Sequence, residues 1–408
     1  MNINDNKSSL PISLATKMDN ISPFHVMRVL KRAKELEKQG RDIIHMEVGE
    51  PDFTTPEPII TAAKQALSKG LTQYTPAAGI IELRQAIADF YQSRYGVTIS
   101  PERIIITPGA TGALQLVLGA LLNVGDEVLL PDPGYPCNRH YVELYNGKPV
   151  ALKGDAENRY QPTQISIQQQ WSDKTRALML ASPANPTGSI LDKEELEVYL
   201  STIQGLAKQS GQGSCHPALI VDEIYHGLTY GDKQADTALS LENHEQLFVI
   251  NSFSKYFGMT GWRLGWVVAP ESYIEALDRL AQNIFLCAPT PSQYAAVEAF
   301  SDESIAIMEE RKDAFKERRD FLLPALRDLG FDIPIAPEGA FYLYANCKKF
   351  TDDSMTFASQ ILEDTGVAIT PGLDFGSNKP EEYVRFAYTT DMPKLEEAVR
   401  RLRAYLAS

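Results

Sequence analysis

A chain of 408 residues is too long for one simple core and is read as two domains, or as one large domain with a smaller lobe; with 44% hydrophobic and 23% charged residues its composition is ordinary for a globular protein. Its formal net charge of −14 argues against nucleic acid or an anionic membrane surface as partner. Cys137, Cys215, Cys287 and Cys347 show neither a CxxC nor a framework spacing, which reads as reduced thiols in a cytoplasmic protein. Met1 to Lys17 is polar, without the apolar stretch of a signal peptide, and no run approaches ~18 apolar residues, so no membrane span is expected.

After a polar arm of the first twenty or so residues, the pattern predicts a helix from Pro23 through Gln39. It is apolar at Val26, Val29, Leu30, Ala33 and Leu36 and is stopped by Gly40. A strand, Ile43 to Val48, runs into the turn cluster Gly49 to Phe53, where glycine lets the backbone approach something closely. Helices at Glu57 to Ser68 and Ile80 to Tyr95 flank a loop that holds an aromatic hydroxyl, Tyr74, among polar and proline residues. The strand Arg103 to Thr107, the turn Pro108 to Gly112 and a helix from Ala113 to Leu122 follow. Amides of a first helical turn are unpaired and the helix dipole adds positive potential. Ala110 and Thr111 are therefore candidates to hold an anion, although most such junctions bind nothing.

The strand Glu127 to Leu130 leads to Tyr135 on a proline-stiffened loop. That tyrosine suits stacking on a flat ring, or equally packs as a plain core or surface residue. Strands at Lys148 to Leu152, Ala177 to Ala181 and Ala218 to Val221 surround a helix from Lys193 to Lys208. Between Ser182 and Gly188, a cis X-Pro bond would aim the Asn185 amide inward. Asp222 stands just beyond four apolar residues, a costly place for a carboxylate without a positive partner.

The stretch from Asn251 to Trp266 organises the rest. Lys255 follows the apolar run Leu247 to Ile250 and lies among Ser252, Ser254 and small residues. A lone lysine is ordinarily a surface charge, but one at the end of a buried strand is desolvated, which favours the neutral amine that attacks carbonyls. Arg263, before the run Leu264 to Ala269, offers a planar fork for phosphate. A carbonyl compound bearing a phosphate, such as pyridoxal phosphate, is what this combination calls for.

Beyond Pro270 helices dominate, at Ser272 to Leu286, Ser292 to Phe300 and about Glu303 to Leu329. An alternating run, Ala340 to Ala345, a helix near Thr356 to Glu363 and a strand, Val384 to Tyr388, come next. Asp391 then caps a last helix, apolar at Leu395, Ala398, Val399, Leu402 and Leu406. Arg385, in a half-buried strand, needs a structural ion pair or a ligand. Alternating strands and helices predict an α/β protein with a mainly parallel sheet and ligands at the carboxyl ends of its strands.

The motifs V-G-E-P-D-F at 48, Q-Y-T-P-A-A-G at 73, N-P-T-G at 185, D-E-I-Y at 222, S-F-S-K at 252, G-W-R-L-G at 261 and V-R-F-A-Y at 384 occur in this order. From about Ile21 to the C-terminus the chain resembles the pyridoxal-phosphate-dependent aminotransferases of class I/II, fold type I, most closely their bacterial aspartate-aminotransferase-like branch. The resemblance implies a mainly parallel sheet sandwiched by helices, with a smaller α+β domain. It divides the chain into an N-terminal arm and helix (1–48) packing with the small domain, a large cofactor domain (49–304) and a small C-terminal domain (305–408).

The resemblance also implies roles for single residues. Lys255 carries the cofactor and moves the Cα proton. Asp222 keeps the ring nitrogen protonated, while Tyr225 and Asn185 bond the ring oxygen and Tyr135 stacks on the ring. Ala110, Thr111, Ser252 and Arg263 hold the phosphate, with Ser254 a further candidate, and Tyr74 reaches the phosphate of a neighbouring subunit in a homodimer with shared sites. Arg385 clasps the substrate carboxylate, helped by Gly49 and Asn185. The implied reaction is ping-pong transfer of the amino group of an L-amino acid to a 2-oxo acid such as 2-oxoglutarate or pyruvate.

Some aspartate-specific members of the branch carry a lysine where this chain has Thr111, so alanine, aromatic and other donors stay open. A carbon–sulfur lyase or other elimination enzyme of the same fold is the alternative. A non-enzymatic sensor module would need a DNA-binding domain before Ile21, for which the polar arm is too short.

Overall fold

The computed structural model describes residues 12–210, 216–231, 235–242 and 245–407; Cys215 and the start of the arm lie outside them. The chain begins with α1 (His25–Lys38), β1 (Ile44–His45), α2 (Glu57–Ser68), α3 (Ile81–Tyr95), β2 (Ile104–Thr107), α4 (Gly109–Leu121), β3 (Glu127–Asp132), α5 (Pro136–Leu144) and β4 (Lys148–Lys153). It continues through α6 (Gln164–Gln170), β5 (Thr175–Ala181), α7 (Lys193–Gln209), β6 (Ala218–Asp222), β7 (Leu247–Ser252) and β8 (Gly265–Val268). The remainder is α8 (Glu271–Ile284), α9 (Thr290–Val297), α10 (Asp302–Leu329), β9 (Tyr342–Asn346), α11 (Ser354–Thr365), β10 (Val367–Ala368), β11 (Thr370–Pro371), β12 (Tyr383–Ala387) and α12 (Met392–Leu406).

Seven strands form the central sheet in the order β2-β8-β7-β6-β5-β3-β4. Its strands pair in parallel except at β8, which runs against both β2 and β7. Side chains alternate between two apolar layers, as the two-residue period of a strand requires. Leu178, Leu180, Leu219, Val221 and Val249 enter one core, and Ala177, Met179, Ile220, Phe248 and Ile250 the other. Burial on both faces explains why these strands read as unbroken apolar runs.

Reversal of β8 has a direct effect on the site. The carboxyl ends of β2, β7, β6, β5 and β3 lie at one edge of the sheet, and the antiparallel β8 brings its amino end to that same edge. Arg263, two residues before β8, therefore joins the residues that follow the parallel strands.

A second sheet, β11-β12-β9, is antiparallel, and β1 pairs in parallel with β10. Helix caps follow the sequence: the Asp192 side chain accepts from the Glu195 amide in a capping box, and Asp391 accepts from the Lys394 amide. Gly330, at φ 104°, ends α10 in the left-handed conformation that glycine tolerates.

Some expected boundaries move. The strand expected over Ile43 to Val48 shrinks to two residues, because the Glu47 carbonyl is taken by Thr370 Oγ1 and Arg385 instead of a neighbouring strand. The helix expected from Ala113 begins at Gly109, whose φ of 72° makes the turn out of β2. Two short helices, α5 and α6, escaped the periodicity because α5 buries just Pro136, Asn138 and Val142, and α6 just Ile167. Among the described residues no helix is long and apolar enough to cross a membrane.

Candidate active site

Lys255 follows β7, and its Nζ donates to the Gly49 carbonyl at 2.6 Å. The same atom lies 5.9 Å from the Tyr225 ring and 5.8 Å from the Phe341 ring. Burial dominates its titration and lowers the pKa to about 8; Arg385 and Arg263 act in the same direction, and Glu50 and Asp222 oppose it. An amine so placed gives up its proton far more readily than a surface lysine.

Asp222 ends β6, beside β7, and is 4% exposed. Its Oδ1 accepts from the Ile224 amide at 3.1 Å. Burial raises its pKa to about 7 against the pull of that amide and of Lys255. No ion pair among the described residues neutralises it, so its charge is costly where it stands. Glu223 is equally buried but faces away from this cluster, accepting from Thr237 Oγ1 and the Ala238 amide.

Arg385, on β12, is 3% exposed and lies 4.1 Å from the Tyr342 ring centroid and 4.9 Å from that of Phe375. Its guanidinium donates to Asn185 Oδ1 at 2.9 Å, the Glu47 carbonyl at 2.7 Å and Thr370 Oγ1 at 3.3 Å. Its Nε has no partner, and no Asp or Glu among the described residues pairs with it. The structural ion pair weighed for Arg385 is therefore absent from the described residues. Asn185 sits between two cis bonds, Ser182–Pro183 and Asn185–Pro186, and its amide oxygen is turned toward Arg385.

A second cluster lies where α4 meets the sheet. A Cβ on Gly109 would come 2.8 Å from Arg263 Nη2, and one on Gly265 would come 2.7 Å from the Ala110 nitrogen. The two glycines thus let the amide end of α4, with Ala110 and Thr111, approach β8 and the guanidinium. Ser252 and Ser254 bring their hydroxyls within 3.0 Å of each other at the end of β7. A helix amide terminus, an exposed arginine and paired hydroxyls thus gather at one edge of the sheet, donors of the kind that suit an anion. Tyr135 opens α5, and burial pushes its phenol well above the usual range. Tyr74 stays apart from both clusters, 82% exposed.

The profile described as "Aminotransferase class I and II" matches residues 41–402. The chain belongs to this aminotransferase family. It is 37% identical over 393 residues to a (5-formylfuran-3-yl)methyl phosphate transaminase of Methanocaldococcus jannaschii, covering 96% of this chain and 99% of that protein. With a valine–pyruvate aminotransferase of Mycobacterium tuberculosis it shares 38% identity over 388 residues, covering 95% and 97%. The crystal structure of an aminotransferase from Mycobacterium tuberculosis superposes with a TM-score of 0.90 at 37% identity, covering 97% of this chain and 99% of that one. The chain is thus an enzyme, a transaminase of the α/β fold expected, and its family is generally dependent on pyridoxal phosphate.

One residue of this aminotransferase's site was not singled out in the sequence. The Tyr342 hydroxyl lies 2.8 Å from that of Tyr225, and a Cβ on Gly49 would fall 1.8 Å from it. Tyr342 thereby joins Gly49, Tyr225 and Arg385 into one wall. The alternating run Ala340 to Ala345 marked a strand there but gave no sign of which tyrosine faced the site.

Proposed function

We propose that this aminotransferase binds pyridoxal phosphate between α4, β6 and β7 and transfers the amino group of an L-amino acid to a 2-oxo acid. The observation that carries the reading is the meeting of three mismatched charges: Lys255 with a lowered pKa and, among the described residues, Asp222 without an ion pair and Arg385 without a carboxylate. Each is costly alone, and each is offset by a different part of one ligand set.

The donor types in the pocket fit the cofactor. Amides of Ala110 and Thr111, the hydroxyls of Ser252 and Ser254 and the Arg263 fork suit its phosphate, Asp222 its protonated ring nitrogen, Tyr225 and Asn185 its ring oxygen, and Tyr135 its flat face. When bound, the cofactor supplies an electron sink for a carbanion at the amino acid Cα. Lys255 would hold the cofactor in the resting enzyme and, with its amine freed by the incoming amino group, would take the Cα proton on Nζ and return it, so that one amine serves as base and acid. Arg385 accepts the α-carboxylate in a bidentate pair and fixes the plane in which the Cα–H bond points at Lys255, with Gly49 and Asn185 assisting.

The same reading assigns 1–48 to an arm and helix associated with a smaller lobe (305–408), and 49–304 to the cofactor lobe. The pairing of β1 with β10 and the start of α10 at Asp302 support it. It assigns the protein to the cytoplasm, in accord with the free thiols of Cys137, Cys287 and Cys347. It also makes the enzyme a homodimer. The Tyr74 loop is held by Thr290 Oγ1 on the Gln73 carbonyl and by Gln293 Nε2 on Thr75 Oγ1, yet the tyrosine ring projects away from its own subunit.

A screen of amino donors against 2-oxoglutarate and pyruvate tests the reaction. Stoichiometric exchange of amino acid for oxo acid is expected. Ammonia released without consumption of an oxo acid would overturn the assignment.

A further inference from the structure

The segment after β1 offers three consecutive carbonyls to the site. That of Glu47 accepts from Arg385 Nη2 at 2.7 Å and Thr370 Oγ1 at 2.8 Å, that of Val48 from Thr389 Oγ1 at 3.1 Å, and that of Gly49 from Lys255 Nζ at 2.6 Å. Among the described residues, backbone-to-backbone bonding reaches Met46 and goes no further along this segment. Side chains must therefore fix residues 47–49.

One of those side chains is the Glu47 carboxylate, which is fully buried. Its Oε1 lies 2.7 Å from His45 Nδ1, and its Oε2 has no hydrogen-bond partner among the described residues. The other ring nitrogen, Nε2, lies 3.1 Å from Oε1 of Glu37 on α1, whose second oxygen is 2.8 Å from Lys34 Nζ. An imidazole flanked by two carboxylates donates to both only when doubly protonated; a neutral ring would turn a lone pair on one of them. The geometry thus calls for a charged His45. Its hydrogen bond to Glu47, aided by Glu37 and opposed by burial, accordingly holds the ring's pKa above its ordinary value. Other charges beside β1 are matched with one another: Arg41 approaches Glu363, and Arg401 pairs with Asp42 and Glu397. Neither His45 nor Glu47 has a part in the reaction as described.

We propose that His45 and Glu47 are positioning residues for the substrate carboxylate: their ion pair holds the Glu47 carbonyl against Arg385, and loss of the His45 proton loosens that hold. A buried carboxylate deprived of its cation is costly, and the cost is relieved by movement of the segment that also carries the Arg385 acceptor. Carboxylate binding is therefore strongest while His45 is charged and weakens as pH rises through the titration of the ring. This rests on the reading of Arg385 as the carboxylate clasp and adds the groups that keep the clasp in place.

The test uses pentanoate, which has one carboxylate and no amino group and so reports the clasp without turnover. Its affinity for the holoenzyme is measured by calorimetry from about pH 6 to about pH 9.5, while the His45 ring is followed by NMR of isotope-labelled histidine and identified by its loss in His45→Gln. Wild type should lose affinity by about fivefold or more as pH rises, with the same midpoint as the ring. Glu37→Gln should keep the acid-side affinity within about twofold and move both midpoints to lower pH. Glu47→Gln, with no charge to neutralise, should lower the ring's midpoint and flatten the affinity profile, and His45→Gln should flatten it too. Titration of Asp222 or Lys255 would leave its own slope in every variant, so the comparison isolates His45.

An affinity independent of pH in wild type, a slope undiminished in His45→Gln and Glu47→Gln, or a Glu37→Gln profile that stays in place while the ring's midpoint moves would each overturn the proposal. Pentanoate binding that survives Arg385→Gln would overturn the clasp itself. Binding that Arg385→Gln abolishes, with a slope indifferent to His45, would leave the clasp standing and remove the role of the His45–Glu47 pair.

Discussion

The hydroxyls of Tyr225 and Tyr342 lie 2.8 Å apart, and the Tyr342 ring carries the Arg385 guanidinium on its face. One side chain thus supports both the group assigned to the cofactor oxygen and the group assigned to the substrate carboxylate. Tyr342→Phe removes the hydroxyl contact and keeps the ring. It should lower kcat by about 3- to 10-fold with KM nearly unchanged, in line with the loss of one hydrogen bond of about 1 kcal/mol. Tyr342→Ala should raise KM as well, since the cation–π support is lost. Steady-state kinetics of the two variants separate the roles.

Lys255 should be the point of covalent attachment. Borohydride reduction of the yellow holoenzyme, followed by peptide mapping, should place the label on Lys255 alone. A label on another lysine, or protein purified without cofactor that cannot be reconstituted, would refute the assignment.

Burial of Asp222 couples stability to pH. Its folded pKa is about 7 against 3.8 for the free group, so between those values the folded chain holds a proton that the unfolded chain has released. Stability therefore falls as pH rises through that window, and the cost is complete above about pH 7. Cofactor-free Asp222→Asn, which has no charge to bury, should be more stable than wild type at pH 8, by on the order of 1–3 kcal/mol. The gap should close toward pH 4. The same variant, loaded with cofactor, should lose several orders of magnitude in rate, because an amide does not stabilise a protonated ring nitrogen. Denaturant midpoints across pH and turnover together check both halves.

Arg385→Lys keeps a positive charge but loses the fork. Amino acid and oxo acid binding should weaken by about 10- to 100-fold with a smaller loss of rate, since a point charge does not fix the carboxylate plane. Unaltered KM for every substrate would show that the carboxylate binds elsewhere.

Tyr74→Ala and Lys255→Ala, each with little activity alone, should complement when their subunits exchange. A mixed dimer would carry both defects in one site and leave the other intact. Mixed dimers that form without regaining activity would confine Tyr74 to its own subunit.

Much of this was legible because it is local. Lys255 and Arg263 belong to one short stretch, and apolar runs ending at Asp222, Asn251 and Ala181 put the flanking residues at one edge of a sheet. Contacts between distant segments were not legible. Tyr342 is 117 residues from Tyr225, and nothing in its own strand distinguishes it from Tyr344. The partner of Arg385 was equally open, because whether an arginine meets a carboxylate depends on the approach of other segments. Helix α5 was missed because its buried face is too slight to set a period.

The reversed strand β8 has one more consequence. Ser252 and Gly265 are paired neighbours across β7 and β8, so the loop bearing Lys255 and Arg263 starts and finishes at adjacent points of a rigid edge. Its two ends are pinned about one strand spacing, ~4.8 Å, apart. The backbone that carries Lys255, three residues in from one end, and Arg263, two from the other, is thereby restrained. Such a scaffold can vary at its rim without moving the two strand ends that carry Lys255 and Arg263.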